Sequence, residues 1–155
     1  MRSQGSYDSR PDTYAHIETV REYLFAAVRT LLDRIRTHDG TKLVEPELSI
    51  FDEYTPKLRD TTYGSVEYKT YLKAMGEGLK HHYAHQRHHP EHFRNGIQDM
   101  TLIDVLEMLC DWKAATLRHA DGDLSRSIEV NAERFGYGDE MKRLLLNTAK
   151  EMRLL

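Results

Sequence analysis

A single cysteine, Cys110, stands among 155 residues, so no internal disulfide can form. That excludes a disulfide-built secreted scaffold and fits a reducing compartment. No apolar run approaches the roughly 18 residues of a membrane span, and the opening stretch MRSQGSYDSRPD is polar. The expectation is a cytoplasmic protein with no membrane partner. Positive charge is not in excess either. The formal net charge is −3, which argues against a general nucleic-acid binder. Two catalytic signatures are missing: a G-x-S-x-G nucleophile elbow and a glycine loop that cradles phosphate. Cys110 falls on a helix side that reads as buried, which removes it as a nucleophile. No stretch keeps the two-residue alternation of a strand.

What remains is helical period. Ile17, Val20, Leu24, Val28, Leu31 and Ile35 recur at steps of three and four, predicting one buried stripe on a helix from Asp12 to about Thr37. Gly40 breaks it. Pro46 opens a shorter helix carrying Leu48, Phe51 and Tyr54, which weakens at Pro56. Ser65 caps a third, with Tyr68, Leu72, Met75 and Leu79 inward and Pro90 as its end. Thr101 caps a fourth that runs to about His119, where Asp121-Gly122 breaks it. Ser125 and Asp139 begin two more. The prediction is an all-α, single-domain bundle of five to six helices over residues 11–155, with residues 1–10 loose.

Six of the nine histidines crowd into KHHYAHQRHHPEHF, residues 80–93. Continuing the third helix's stripe places His82, His85 and His89 on the face that the helix buries, with His81 and His88 on the flank. Buried imidazoles need hydrogen-bond partners, and a helix has already used its own carbonyls. A divalent metal satisfies several together, because neutral imidazole is a common ligand. The alternatives are a solvated polar helix end and a basic, aromatic patch from Lys80, Arg87, Arg94, Tyr83 and Phe93. The patch has few firm cations, so direct nucleic-acid binding is the weaker reading.

Two further stretches bear on the same site. In THDGTK, His38 continues the first helix's stripe, Asp39 adds a carboxylate suited to a divalent cation, and Lys42 suits a phosphate oxygen. In IDVLEMLCDWKAA, Asp104, Glu107 and Asp111 form an acidic line opposite the apolar side Leu102, Val105, Leu106 and Leu109. Such a line faces either water or a cation.

The order His16, His38-Asp39, a histidine run and a later aspartate resembles the HD-domain superfamily of metal-dependent phosphohydrolases over residues 14–116. His16 in HIETV is similar to its first ligand. HDGTK resembles the His-Asp-x-Gly-Lys form of its cyclic-dinucleotide branch. His85 or His82, then His88 and His89 in HHPEH, are comparable to that branch's extra ligands, and Asp111 in CDWKAA resembles the last aspartate, with Asp104 competing for that role. Pro90 intrudes before Glu91, and Asn95-Gly96-Ile97 stands where the branch has Gly-Tyr-Pro, so its substrate is not carried over. The runs HHPEHF and EMLCDW also resemble an uncharacterised family of small bacterial and phage proteins.

The resemblance implies an HD-like bundle that hydrolyses a nucleotide or other small phosphoester through metal-activated water. The metal ligands would come from His16, His38, Asp39, His82, His85, His88, His89 and Asp111. Asp39 would bridge cations, Lys42 and Arg87 would neutralise phosphate oxygens, and a histidine outside the metal shell such as His85 would protonate the leaving oxygen. Manganese, iron, cobalt, zinc and magnesium all remain open, as does self-association. Tyr63, Tyr68 and Trp112 are candidates to stack on a base. The rival is a non-enzymatic helical protein, a phage or regulatory interaction module, with a structural metal.

Overall fold

The computed structural model describes residues 7–62, 64–118 and 122–155, and all the regular structure among them is helical. The expected all-α class holds. Seven helices appear among the described residues where five to six were expected. Of the loose start expected at residues 1–10, residues 1–6 lie outside the described residues and Arg10 already belongs to a helix; the Tyr63 stacking role and the breaking residue Asp121 also lie outside the described residues. No helix among those described is long and apolar enough to cross a membrane.

The chain divides into two compact units, residues 1–36 and 37–155. The first contributes nearly all of α1 (Arg10–Thr37). This helix starts before Asp12, whose carboxylate lies inside the first turn and accepts from the Tyr7 hydroxyl. The stripe expected to be buried is not: Ile17, Val20, Leu24, Val28 and Ile35 are exposed, and no residue of α1 is buried. A three-four period marks a common face; it does not supply the surface that would cover it. Local pairs such as Glu18–Arg21 and Asp33–Arg36 support the exposed helix.

The second unit holds α2 (Glu47–Arg59), α3 (Val66–Ala74), α4 (Gly76–His85), α5 (Leu102–Thr116), α6 (Leu124–Phe135) and α7 (Asp139–Glu151). Its apolar core lies between α5, α6 and α7. Val105, Met108 and Leu109 meet Leu124, Ile128 and Ala132, and Tyr137, Leu145 and Ala149 complete the cluster. The Tyr137 hydroxyl donates to the Ile128 carbonyl at 2.6 Å, so the one polar atom of that buried ring is satisfied. Helix α6, expected to begin at Ser125, begins at Leu124, and its N-cap is Asp123, whose carboxylate accepts from the Ser125 and Arg126 amides. Cys110, expected inside, is exposed, because it stands one residue beyond the buried Met108–Leu109 edge of α5.

The single third helix of the sequence reading is two helices. Met75 closes α3 and Gly76, at φ +26, starts α4. Gly78 then lets α4 approach α2 closely, since a Cβ there would stand 2.9 Å from Ile50 Cδ1 and Cγ2. That close crossing brings the start of α2 against the last turn of α4, where the histidines are.

Candidate metal centre

Four elements of the second unit converge here. The first is the turn after α1. Asp39 takes the left-handed conformation, φ 54 and ψ 11, which aspartate tolerates better than most side chains. It thereby sends the chain into the short turn Gly40–Leu43. The second is the end of α4. The helix stops at His85, and Gln86 is extended at φ −112 and ψ 107. His88 and His89 therefore enter the site from an irregular loop rather than from a helical face. The Gln86 amide ties that loop to the turn by donating to Thr41 Oγ1 at 3.1 Å. The third element is the first residue of α2, Glu47, and the fourth is the acidic face of α5.

One donor group comprises Asp39, His82, His88 and His89, with one ligand atom from each within 4.8 Å of all the others. His82 Nε2 lies 2.9 Å from His89 Nε2 and 3.4 Å from Asp39 Oδ1, and His88 Nε2 lies 3.5 Å from Asp39 Oδ1. Four ligands about 2.0–2.1 Å from a tetrahedral zinc stand about 3.4 Å apart, so two of these three separations match such a shell and the third is tighter.

The hydrogen bonding is incomplete in a way that a cation would complete. His88 is 1% exposed, yet neither ring nitrogen has a hydrogen-bond partner, and Asp39 Oδ1 has none. His88 Nδ1 is 3.3 Å from Glu107 Oε1 but outside hydrogen-bond geometry. An unsatisfied buried group costs about 1–3 kcal/mol.

Glu47 carries the outer layer. It is wholly buried, and its carboxylate accepts from His81 Nδ1 at 2.7 Å, His82 Nδ1 at 2.9 Å and the Thr41 hydroxyl at 2.9 Å. Holding the proton of His82 on Nδ1 leaves the Nε2 lone pair facing the cluster. Burial pushes the Glu47 carboxyl up, but the bonds from His81, Thr41 and His82 outweigh it and hold the group below its usual range. Burial is the main cause that lowers His82, and burial with the neighbouring His88 and His82 pushes His89 down to about 2. Both imidazoles are thus neutral and able to act as ligands. Burial also acts to raise Asp39, and the charge and hydrogen bond of Lys42, 2.5 Å away, bring it below the ordinary carboxylate value.

A second donor group, His38, His88 and Asp111, adjoins the first. His38 Nε2 is 3.7 Å from Asp39 Oδ2 and 3.8 Å from Asp111 Oδ1, while its Nδ1 lies 3.0 Å from Glu107 Oε1. The bond to Glu107 is the leading cause that raises the His38 pKa. Glu107 and Asp111 of the acidic line on α5 consequently face imidazoles.

The structure brings His38, Asp39, Lys42, His82, His88, His89 and Asp111 together. His85 lies elsewhere: it is exposed, stacks on His81 at 4.1 Å and is held by the His81 carbonyl. The helical face expected to run from 82 to 89 ends at 85, so His89 reaches the site from the loop, while His85, still on α4, is exposed. Arg87 is committed to Asp104, at 3.0 and 2.9 Å, and lies over the Phe93 ring. Asp104 is spent on that pair and on the capping box with Thr101, which leaves Asp111 as the aspartate of the cluster. His16 stands exposed on α1 in the first unit. Glu47, Thr41, Gln86 and Glu107 complete the surroundings. Glu47 carried no sequence signal beyond the ordinary taste of a helix start for acid.

Asp39 and Lys42 also line a cavity of about 530 Å³ that continues past Phe51, Tyr68 and Trp112.

Fold and site together define an all-α protein with a His/Asp cluster able to hold a divalent metal ion. The chain belongs to DUF5662, a family of unknown function whose model matches residues 5–154. No HD-domain family matches, and no curated protein or solved structure does.

Proposed function

We propose that the protein is a metal-dependent phosphohydrolase acting on a nucleotide or another small phosphoester. One observation carries this reading: Asp39 belongs to the four-donor group and also to the cavity wall, so a cation held there would face a space of substrate size. A bound divalent cation would supply a water acidified to near neutral pH and would polarise a phosphoryl oxygen. The chain's own residues do the rest. Asp39, His82, His88 and His89 hold the cation, with His38 and Asp111 placed for a second. Glu47 orients His82. Lys42, held by Asp39 and lying 4.9 Å over the Phe51 ring, keeps further N–H donors for a phosphate oxygen. Phe51, Tyr68 and Trp112 offer apolar faces to the organic part of the ester.

The second group adds only His38 and Asp111 to the shared His88, which leaves coordination positions for water, as catalytic sites require. The first has four, a closed set that by itself suits a structural zinc, and this favours the second reading: a non-enzymatic metal-stabilised protein. Metal analysis of the purified protein, joined to a phosphoester panel with manganese, cobalt, iron, magnesium and zinc, separates them. Metal-dependent turnover, lost on chelation with the fold intact, supports the hydrolase. One tightly held zinc, unfolding on its removal and no turnover with any ester would leave the structural reading.

A further inference from the structure

The cavity has basic residues that the cluster does not use. Arg59, Arg118 and Arg126 line it, and all three are exposed. They come from three different helices or helix ends, and two helices tell where they sit relative to the cluster. Phe51 marks the cluster end of α2, with its ring 5.7 Å from that of His82 and under Lys42. Arg59 is eight residues further along the same helix, about 12 Å at 1.5 Å per residue. On α5 the cluster residue is Asp111, and Arg118 lies seven residues on, just past the helix end, about 10 Å away. Arg126 reaches the cavity from the first turn of α6. Between the two ends the wall is largely apolar, with Tyr68, Leu58, Val130 and Trp112, whose ring is braced by Phe135 in a near-parallel stack, 6.3 Å between centroids.

Among the described residues, the acids lining this space are Asp39, bound to Lys42, and Asp123, whose carboxylate caps α6; Arg59 also stands 3.7 Å from Asp60. Guanidiniums lining one cavity from three elements offer forked donors that suit a phosphate between them. A plain phosphate monoester would fill only the cluster end.

We infer that the cavity is a two-anion site for a nucleotide with a second phosphate beyond its nucleoside. The first phosphate lies at Asp39 and Lys42, the nucleoside against Trp112 and Tyr68, and the second phosphate among Arg59, Arg118 and Arg126. The inference rests on the phosphohydrolase reading for which end takes the reacting phosphate, and not for the existence of the arginine subsite.

Trp112 is the chain's only tryptophan, so its fluorescence reports ligand in this cavity without any turnover. The zinc-loaded full chain is titrated with a nucleoside 5′-phosphonate, whose carbon–phosphorus bond is not hydrolysed, and with the same phosphonate bearing a 3′-phosphate. The doubly charged ligand is expected to bind about 10- to 100-fold tighter, the range for added charge-assisted bonds. In the Arg118→Ala/Arg126→Ala protein that ratio is expected to fall toward one. Arg59→Ala, on a separate helix, is expected to reduce it in part and serves if the double variant does not keep its helical circular dichroism. Equal affinity for both ligands in the parent, a ratio that survives the arginine changes, or no binding of either ligand would each overturn the inference. A preserved ratio-and-loss pattern with no turnover of any phosphoester would sink the hydrolase reading and leave this one standing.

Discussion

His82 Nε2 and His89 Nε2 face each other at 2.9 Å, while His82 Nδ1 gives its proton to Glu47. With that proton committed, the two Nε2 atoms meet lone pair to lone pair unless His89 carries a proton on Nε2 or a cation stands beside them. The buried ring of His88, with neither nitrogen hydrogen-bonded, and Asp39 Oδ1, also without a hydrogen bond, border the same spot. A metal ion answers all four demands at once. The expected outcome is that the purified protein carries a divalent metal in near-stoichiometric amount. His88→Ala should lose most of it, whereas His85→Ala, on an exposed ring outside the cluster, should keep it. Elemental analysis of both variants decides this; equal metal content in the two would remove His88 from the shell.

Glu47 touches no cluster donor atom, so its effect should be indirect. Glu47→Gln keeps the volume and one acceptor oxygen but removes the charge that orients His81 and His82. Outer-layer carboxylates of this kind are worth about 10- to 100-fold in metal affinity. Competition against a calibrated chelator should show a loss in that range, with helical content near that of the parent. An unchanged affinity would make Glu47 a partner of packing only.

Asp39 and Lys42 should separate in their kinetics. Asp39→Ala should abolish metal-dependent turnover of any phosphoester that the parent hydrolyses, since it removes a donor and the link to the cavity. Lys42→Ala should raise the substrate concentration needed, with the metal retained. Steady-state assays alongside metal analysis test both; loss of metal from the lysine variant would assign Lys42 to the shell's support instead of to the substrate.

Much of the site was legible in the sequence because its donors are rare residue types in dense runs. His38-Asp39, His82, His88, His89 and Asp111 stand out against a helical background, and the structure gathers them, though not His85 from the same run. Extrapolating one helical face through residue 89 was less sound. A face exists only while the helix does, and α4 ends at His85, ahead of the proline that the sequence suggests as the stop. The same limit applies to α1, whose period reads as buried and whose apolar residues are exposed. Periodicity reports which side chains share a side, and burial needs a second surface. Glu47 was invisible for a different reason. An acid in the first turn after a proline is what an isolated helix prefers anyway, so nothing in the local pattern distinguished a carboxylate that anchors two histidines from one that faces water. The resemblance to the HD superfamily suggested an order of ligands beginning at His16, but no HD-domain family matches the chain, and the family that does is of unknown function.

The Arg87–Asp104 pair gives a stability test independent of metal. Asp104 is buried, accepts two bonds from Arg87 and closes the capping box of α5. Burial acts to raise its pKa, but the bonds from Arg87 and Thr101 outweigh it, so the folded value lies below the ordinary 3.8. A carboxyl depressed on folding contributes stability that is fully present above the unfolded value and is lost as pH falls through the folded one. Asp104→Asn should therefore cost about 1–3 kcal/mol near neutral pH, the range for a charged hydrogen-bonded group. The difference from the parent should shrink as the pH is taken below about 4. Urea unfolding of the metal-free proteins across that range measures it. A deficit that stays constant into acid would mean that the Asp104 charge contributes nothing and that only the shape of the cap matters.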